Sequence, residues 1–306
     1  MPNLRDLQHR AEYILIRIVF ALFRSFPLDF AVGLSAWALR IAGPWTRQHR
    51  RTLANLAIAF PDKSEDERRR IAIAMWEHMG RVMAETMRIE EIVRDPHRFQ
   101  IVGGEAVAAQ MRSPGPVVGV TLHLGNWELA IWPLNACGGN PAAVYRPLPN
   151  PYVDRLLREQ RTVLYPGGLF GKGRPTPRAE GGQRTARIIT DYVRGGGWLG
   201  FVCDQVDRRG LAVPFFGHWA KVTPVPAMIA RHTGARVWIA RCLRAGAESR
   251  FRIEIKELEV QRTADKGEDV RTTMAAIFAQ FETWIRENPE QWMWWNTRWV
   301  DIERTA

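Results

Sequence analysis

Cysteine is scarce in this chain, and long uncharged apolar runs are missing from it. Cys137, Cys203 and Cys242 are far apart and form no CxxC pair, so the sequence indicates neither a zinc site nor a disulfide framework and suits a reducing compartment. No uncharged stretch reaches the roughly 18 to 20 residues that a membrane-spanning helix needs. The Gly-rich basic stretch 167–174 lacks the GxxxxGK[ST] pattern, which argues against a nucleotide site and predicts a mobile substrate-side loop.

Basic residues and tryptophans, by contrast, are abundant. Lysine and arginine number 43 against 32 acidic residues, giving a formal net charge of +11, and there are 13 tryptophans. This charge implies an anionic partner, which could be nucleic acid, an anionic membrane or an acidic carrier protein. The tryptophans favour a membrane, because indole rings prefer the bilayer interface. No zinc-finger spacing, RNP-like aromatic strand or basic zipper supports a nucleic-acid partner.

The chain has 306 residues, of which 46% are hydrophobic, enough for one large core or two modest domains. Strand and helix patterns alternate through the middle without an obvious linker. We therefore predict a single α/β domain over residues 61–306, with a mixed, mainly parallel sheet flanked by helices. The predicted strands cover 117–123, 142–145, 198–203, 236–243 and 251–260. The last of these alternates apolar and charged residues, which predicts a half-exposed edge strand.

Residues 1–60 form a separate N-terminal segment in this prediction. Arg10, Arg17 and Arg24 recur every seven residues, so on a helix they share one side while most apolar residues lie elsewhere. That pattern, with eight arginines against three acidic residues, predicts a membrane-associated interfacial helix on an anionic cytoplasmic leaflet. An amphipathic helix packed on the domain and a short tilted span are the alternatives.

The stretch 117–128 is the best candidate for chemistry. Its β-branched and apolar residues after Pro116 predict a buried strand that ends at His123, and Gly125 and Asn126 suit a tight turn. A helical pattern starts at Trp127. His123 and Glu128 therefore flank a strand-to-helix turn, which is where open α/β sheets tend to bind their ligands.

His123 and Glu128 have the residue types of a general-base pair. Imidazole can take a proton from a hydroxyl near neutral pH, and a carboxylate on its other nitrogen fixes the tautomer. No serine or cysteine stands beside His123, which favours direct attack by a substrate hydroxyl over a covalent enzyme intermediate. The alternative is a polar strand end followed by a glutamate that the helix dipole stabilises.

Three further polar residues fall at predicted strand or helix ends. Arg146 directly follows a short strand, Arg161 lies in the helix that Asn150-Pro151 opens, and Asp204 follows the strand 198–203. Asp204 could also be an ordinary turn-forming residue. The aromatic tail 292–299 suits an interface anchor, a lid over the site or packing in the core.

His123-Leu-Gly-Asn-Trp-Glu128 resembles the His, four residues, Asp/Glu motif of glycerolipid-type acyltransferases, in the form carried by the lipid A biosynthesis lauroyl/myristoyl acyltransferase family. Further blocks are similar to that family in the same order. They are Tyr145-Arg146-Pro147 with Asn150-Pro151 and Asp154, Arg161, Gly195 to Gly197 and Asp204-Gln205, Val213 to Gly217, and Asn288 to Trp292. These blocks span residues 100 to 300, far more of the chain than the first motif.

The resemblance implies transfer of a fatty acyl chain from acyl carrier protein to a hydroxyl of a lipid A precursor, at the cytoplasmic face of a bacterial inner membrane. His123 would be the general base and Glu128 would orient it. Arg161 or Arg146 would meet a phosphate or the developing oxyanion, and Asp204 would order the site or the substrate. Phe215 and Phe216 would form an apolar wall for the acyl chain, unless they belong to the core.

The same resemblance implies that no metal or nucleotide cofactor is needed beyond the acyl-carrier donor. The partners would be the acidic carrier protein, a glycolipid acceptor and an anionic membrane surface. Another acceptor, such as a phosphatidylinositol mannoside, is an alternative. A basic membrane-binding protein without catalysis is a second one, but it gives no reason for His123, Glu128, Arg161 and Asp204 to follow the family order.

Overall fold

The computed structural model describes residues 4–172, 181–296 and 299. Its α-helices are α1 (Leu4–Arg24), α2 (Leu28–Ala42), α3 (Arg47–Ala59), α4 (Glu65–Thr86), α5 (Ile89–Val93), α6 (Gly104–Arg112), α7 (Trp132–Ala136), α8 (Pro151–Arg161), α9 (Gly181–Arg194), α10 (Val225–Thr233) and α11 (Lys266–Glu287). Its strands are β1 (Phe99–Val102), β2 (Val117–Thr121), β3 (Pro141–Tyr145), β4 (Gly168–Gly171), β5 (Trp198–Val202), β6 (Val206–Phe215), β7 (His218–Val222), β8 (Arg236–Arg244) and β9 (Phe251–Leu258).

Seven of these strands form one sheet in the order β1-β9-β8-β2-β5-β3-β4. Neighbouring strands are parallel except for β8 and β9, which are antiparallel. β6 and β7 form a separate antiparallel pair. The predicted α/β fold with a mixed, mainly parallel sheet flanked by helices is therefore confirmed.

β2 lies in the middle of the sheet, between β8 and β5. Val117, Val118 and Val120 are buried with at most 2% exposure. A parallel strand covered on both faces needs an apolar sequence of this kind, since neither face meets water. The strand ends at Thr121, two residues before the predicted end at His123.

The prediction that 251–260 forms an edge strand is wrong. β9 lies inside the sheet, between β1 and β8. Its apolar residues Phe251 and Ile253 are buried. Glu254 of the same strand forms ion pairs with Arg241 and Arg252. The alternation of apolar and charged residues in β9 reflects two faces of the strand that are covered differently. The strand that pairs with it, β1, has only four residues, too few for its pattern to predict a strand.

The Gly-rich stretch also differs from its prediction as a mobile loop. Residues 168–171 form β4, which pairs with β3 at the edge of the sheet. Gly173 and Arg174, the end of that stretch, lie outside the described residues.

The N-terminal helices pack on the rest of the chain. The Ser35 hydroxyl of α2 donates to the Gly80 carbonyl of α4 at 2.7 Å, and a Cβ on Gly80 would lie 2.4 Å from the Ser35 carbonyl oxygen. Gly80 thus permits close contact of these two helices. α1 lies against α8, with the Tyr13 and Tyr152 rings 5.9 Å apart. Within the described part of the chain, no helix has both the length and the apolarity to cross a membrane.

Candidate active site

His123 and Asp204 come together because β2 and β5 are adjacent parallel strands. Thr121 of β2 pairs with Val202 of β5, and each candidate residue follows its strand by two positions. Carboxyl ends of neighbouring parallel strands meet at one edge of the sheet. His123 Nδ1 lies 2.5 Å from Asp204 Oδ1, and the His123 backbone N–H donates to Asp204 Oδ2 at 3.1 Å.

The two members of this pair differ in their access to solvent. The Asp204 side chain is fully buried, whereas 13% of the His123 side chain is exposed. The other imidazole nitrogen, Nε2, lies 3.4 Å from the side-chain nitrogen of exposed Gln205. A carboxylate on Nδ1 holds the proton there in the neutral ring, so Nε2 is left as the acceptor. The pair thus presents a basic nitrogen on its accessible side.

Glu128 occupies a different place from the one predicted. It lies in a 3₁₀ turn, Trp127–Ile131, and both of its oxygens accept hydrogen bonds from Arg161, at 2.9 Å from Nε and 2.5 Å from Nη2. The place expected for Glu128, at the second nitrogen of His123, is taken by Asp204. The reason is strand register, which sets Asp204 beside His123, whereas the turn directs Glu128 to the C-terminal end of α8.

The Glu128–Arg161 contact is a bidentate pair in a largely buried setting. The side chains of Arg161 and Glu128 are 24% and 9% exposed. The Glu128 charge raises the pKa of Arg161 above its ordinary value, against the opposing effect of burial. Burial and the neighbouring Glu128 charge also raise the pKa of Tyr165. Removing either charge would leave the other largely buried and unpaired, so this pair ties the turn after His123 to α8.

Arg146 directly follows β3, which neighbours β5 in the sheet, and its side chain is exposed. Next to it, the Tyr145 hydroxyl donates to Asp154 at 3.2 Å and the Arg158 guanidinium lies over the Tyr145 ring. Burial and the Asp154 charge raise the pKa of Tyr145. Arg146, Arg158 and Arg161 therefore add positive charge at the end of β3 and along α8.

The turn after His123 packs against the Cys242 backbone and a buried polar network around Glu85, which the sequence analysis did not predict. Gly125 has a φ of +59°, and a Cβ there would meet the Cys242 carbonyl oxygen at 1.9 Å, so this position requires glycine. The Asn126 side chain donates to buried Glu85 at 2.9 Å. Glu85 also accepts from Arg244 and from Ser249.

The sequence of α4 carries a signal for the role of Glu85. Met75, Met79 and Val82 form the buried stripe of α4, and Glu85 follows Val82 by three residues on that stripe. A carboxylate on the apolar side of a helix needs buried partners, so its position indicates a buried polar network.

Residues 291–293 complete the surroundings of the turn. The Gly125 N–H donates to the Gln291 carbonyl at 2.9 Å, and the Met293 N–H donates to the His123 carbonyl at 3.0 Å. The Trp292 indole N–H donates to Asp204 Oδ2 at 2.8 Å. Among the described residues, no cluster of three or more histidine, cysteine or acidic side chains could hold a metal ion.

Residues 2–301 match the family described as bacterial lipid A biosynthesis acyltransferase. The chain belongs to this family. The family indicates an acyltransferase of lipopolysaccharide biosynthesis. No single curated protein gives a significant match to the chain.

In this acyltransferase, two aromatic segments of the family pattern lie in the core. Phe215 and Phe216 are 1% and 4% exposed, and Trp292 and Trp294 are fully buried. The rings of Phe215 and Trp292 meet edge to face with centroids 5.8 Å apart. Core packing is thus confirmed for these residues, and the expected acyl-chain wall at Phe215 and Phe216 is wrong. Thr297 and Arg298 of the tail lie outside the described residues.

Proposed function

We propose that the protein transfers a fatty acyl chain from acyl carrier protein to a hydroxyl group of a lipid A precursor. The observation that carries this proposal is the His123–Asp204 pair, in which a buried carboxylate holds Nδ1 at 2.5 Å and Nε2 lies on the accessible side. That arrangement suits a general base acting on a hydroxyl. Family membership supports the acyl group and the lipid A precursor as substrates.

In the proposed reaction, His123 Nε2 takes the proton of the acceptor hydroxyl as its oxygen attacks the carbonyl carbon of the acyl thioester. The tetrahedral intermediate then collapses, the carbon–sulfur bond breaks, and the imidazolium returns the proton to the leaving carrier thiolate. The Asp204 carboxylate stabilises the imidazolium between these steps. No covalent acyl-enzyme is formed.

Arg161 is the proposed electrostatic partner in this reaction. Glu128 grips its guanidinium with two hydrogen bonds, which fixes the orientation of the positive charge beside the turn. A preorganised charge of this kind stabilises an oxyanion or binds a phosphate of the acceptor. Glu128 would therefore act on the reaction through Arg161, and exposed Arg146 would bind acceptor phosphate nearby.

We also propose that the protein docks on the cytoplasmic face of the bacterial inner membrane through α1 and α2. The exposed large apolar residues of this surface are Leu4, Leu7, Ile14, Leu15, Ile18, Leu22, Phe30, Leu34, Trp37 and Ile41. An exposed apolar surface of this extent is unusual for a protein that meets only water. Arg10, Arg17 and Arg24 are also exposed, with Arg10 over the Tyr152 ring and Arg24 donating to Gln160, both residues of α8.

Reversing the charge of Arg10, Arg17 and Arg24 together to glutamate should weaken sedimentation with anionic liposomes by about tenfold or more, because each basic residue is attracted to the anionic surface. The residual binding should depend less on salt. The matched control reverses Arg70, Arg112 and Arg271, exposed residues of α4, α6 and α11. Equal loss in both triple variants would show that only net charge matters and would contradict docking through α1.

The acidic acyl carrier protein is the proposed donor partner, since the chain carries a net charge of +11 and exposed arginines line α8 and α9. The experiment that tests the function incubates the purified protein with acyl-carrier donor and a lipid A precursor, and follows product mass. A mass gain of one acyl group supports the proposal. Transfer only to a phosphatidylinositol mannoside would overturn the acceptor, and liposome binding without transfer to either acceptor would overturn catalysis.

A further inference from the structure

The mechanism above gives no task to the C-terminal residues Gln291, Trp292 and Met293, although they touch the centre of the site. Their backbone binds the catalytic turn on both sides of Leu124, through the Gly125 N–H and the His123 carbonyl. These two hydrogen bonds fix the backbone that carries the imidazole. The Trp292 side chain makes a third contact, with Asp204.

The hydrogen bonds to Asp204 divide its two oxygens between different partners. Oδ1 faces His123 Nδ1, while Oδ2 accepts from the His123 backbone at 3.1 Å and from the Trp292 indole N–H at 2.8 Å. Donors on both oxygens fix the plane of a carboxylate. Without the indole donor, Oδ2 loses the shorter of these two hydrogen bonds, and the carboxylate is held less firmly in the plane that aligns the imidazole.

Burial makes the contact with the indole consequential. Trp292 is fully buried and Asp204 is 2% exposed. In such surroundings a carboxylate depends on protein donors in place of water, and a hydrogen bond to a charged acceptor is about twice as strong as one between neutral groups. The indole N–H is therefore well suited to set the orientation of Asp204.

We infer that Trp292 is a positioning residue, whose indole N–H holds the Asp204 carboxylate in the orientation that aligns the His123 imidazole. The inference rests on the proposed role of His123 as the general base. It assigns the C-terminal segment a part in turnover, in addition to its place in the aromatic core.

The chain offers a close control in Trp294. It is as deeply buried as Trp292, and the two rings lie 4.5 Å apart at an angle of 84°. Its indole N–H also makes a hydrogen bond, but to the Pro289 carbonyl at 2.7 Å. Replacing either tryptophan by phenylalanine removes one indole N–H and a similar volume from the same core. The two variants differ in the acceptor that loses its donor.

The first test compares Trp292→Phe with Trp294→Phe. Both variants should lower the melting temperature to a similar extent. Trp292→Phe should also lower kcat by about tenfold or more, the scale of one hydrogen bond to a charged group, while KM for the glycolipid stays within about twofold. Trp294→Phe should retain its kcat. Equal kcat in both variants, or a loss of kcat in both that follows melting temperature alone, would overturn the inference.

A spectroscopic test needs no turnover. In ¹⁵N-histidine-labelled protein, the low-field proton on His123 Nδ1 is assigned by its absence in His123→Ala. Trp292→Phe should shift this resonance and Trp294→Phe should not. If the wild type transfers no acyl chain, the proposed function fails while this shift still tests the contact. If Trp292→Phe does not fold, benzothienylalanine at position 292 retains the ring size without the N–H, and an unshifted resonance there overturns the inference.

Discussion

Asp204 and Glu128 are both buried carboxylates, yet they bind different side chains. Asp204, which follows His123 by 81 positions, meets the imidazole. Glu128, only five positions away in the sequence, meets the Arg161 guanidinium. The register of β2 and β5 brings Asp204 to His123, whereas the turn carries Glu128 towards α8. Neighbourhood in the sheet thus determines the partner of His123 more strongly than distance along the chain.

His123→Ala should have the largest effect, since it removes the group that Asp204 holds. Acyl transfer should fall by about 10²-fold or more, the usual scale for loss of a general base. The assay is product mass after incubation of the purified protein with donor and acceptor. His97→Ala, at an exposed histidine of a short 3₁₀ segment, is the control and should transfer normally. Wild-type transfer by His123→Ala would leave the Asp204 contact without a catalytic purpose.

Arg161→Lys tests the second of the two contacts, the bidentate pair between Arg161 and Glu128. Lysine keeps the charge but cannot reproduce the fork that binds both oxygens of Glu128. We expect acyl transfer to fall by about tenfold or more, with a melting temperature within a few degrees of the wild type. Arg155→Lys on the same helix is the control, because Arg155 pairs with Glu159 in solvent and such pairs contribute little.

If Arg161→Lys matches the wild type in both kcat and KM for the glycolipid, Arg161 has no role in the reaction. Glu128 would then serve only to anchor the turn. Loss in Arg155→Lys of the same size would instead point to a general effect of changing arginines on α8.

The sequence predicted most of the sheet because its strands have strong local patterns. The apolar run at 117–121 and the segment 198–202 were recognised by their own residues, and so was the edge of the sheet where polar groups gather. Strand β1 was not predicted, because its four residues are too few to show a strand pattern. The misassigned edge at β9 follows directly from that omission, since its neighbour was unknown.

The members of the site were easier to predict than their contacts. His123, Arg146 and Asp204 follow strand ends, Glu128 lies in the 3₁₀ turn after β2, and Arg161 ends α8. Which carboxylate meets the imidazole depends on the pairing of β2 with β5, which a single sequence does not specify. The Trp292 contact joins segments 88 residues apart, and its indole carries no local sign that its N–H is directed at Asp204.

The most direct test of the central claim, that Asp204 and not Glu128 holds the imidazole, is the low-field proton resonance of His123 Nδ1. It is measured in ¹⁵N-histidine-labelled Asp204→Asn and Glu128→Gln. Both substitutions keep side-chain size and remove one charge. We predict that Asp204→Asn loses or strongly shifts this resonance, because a carboxylate acceptor is replaced by an amide, and that Glu128→Gln retains it. A resonance that persists in Asp204→Asn and disappears in Glu128→Gln would contradict the account.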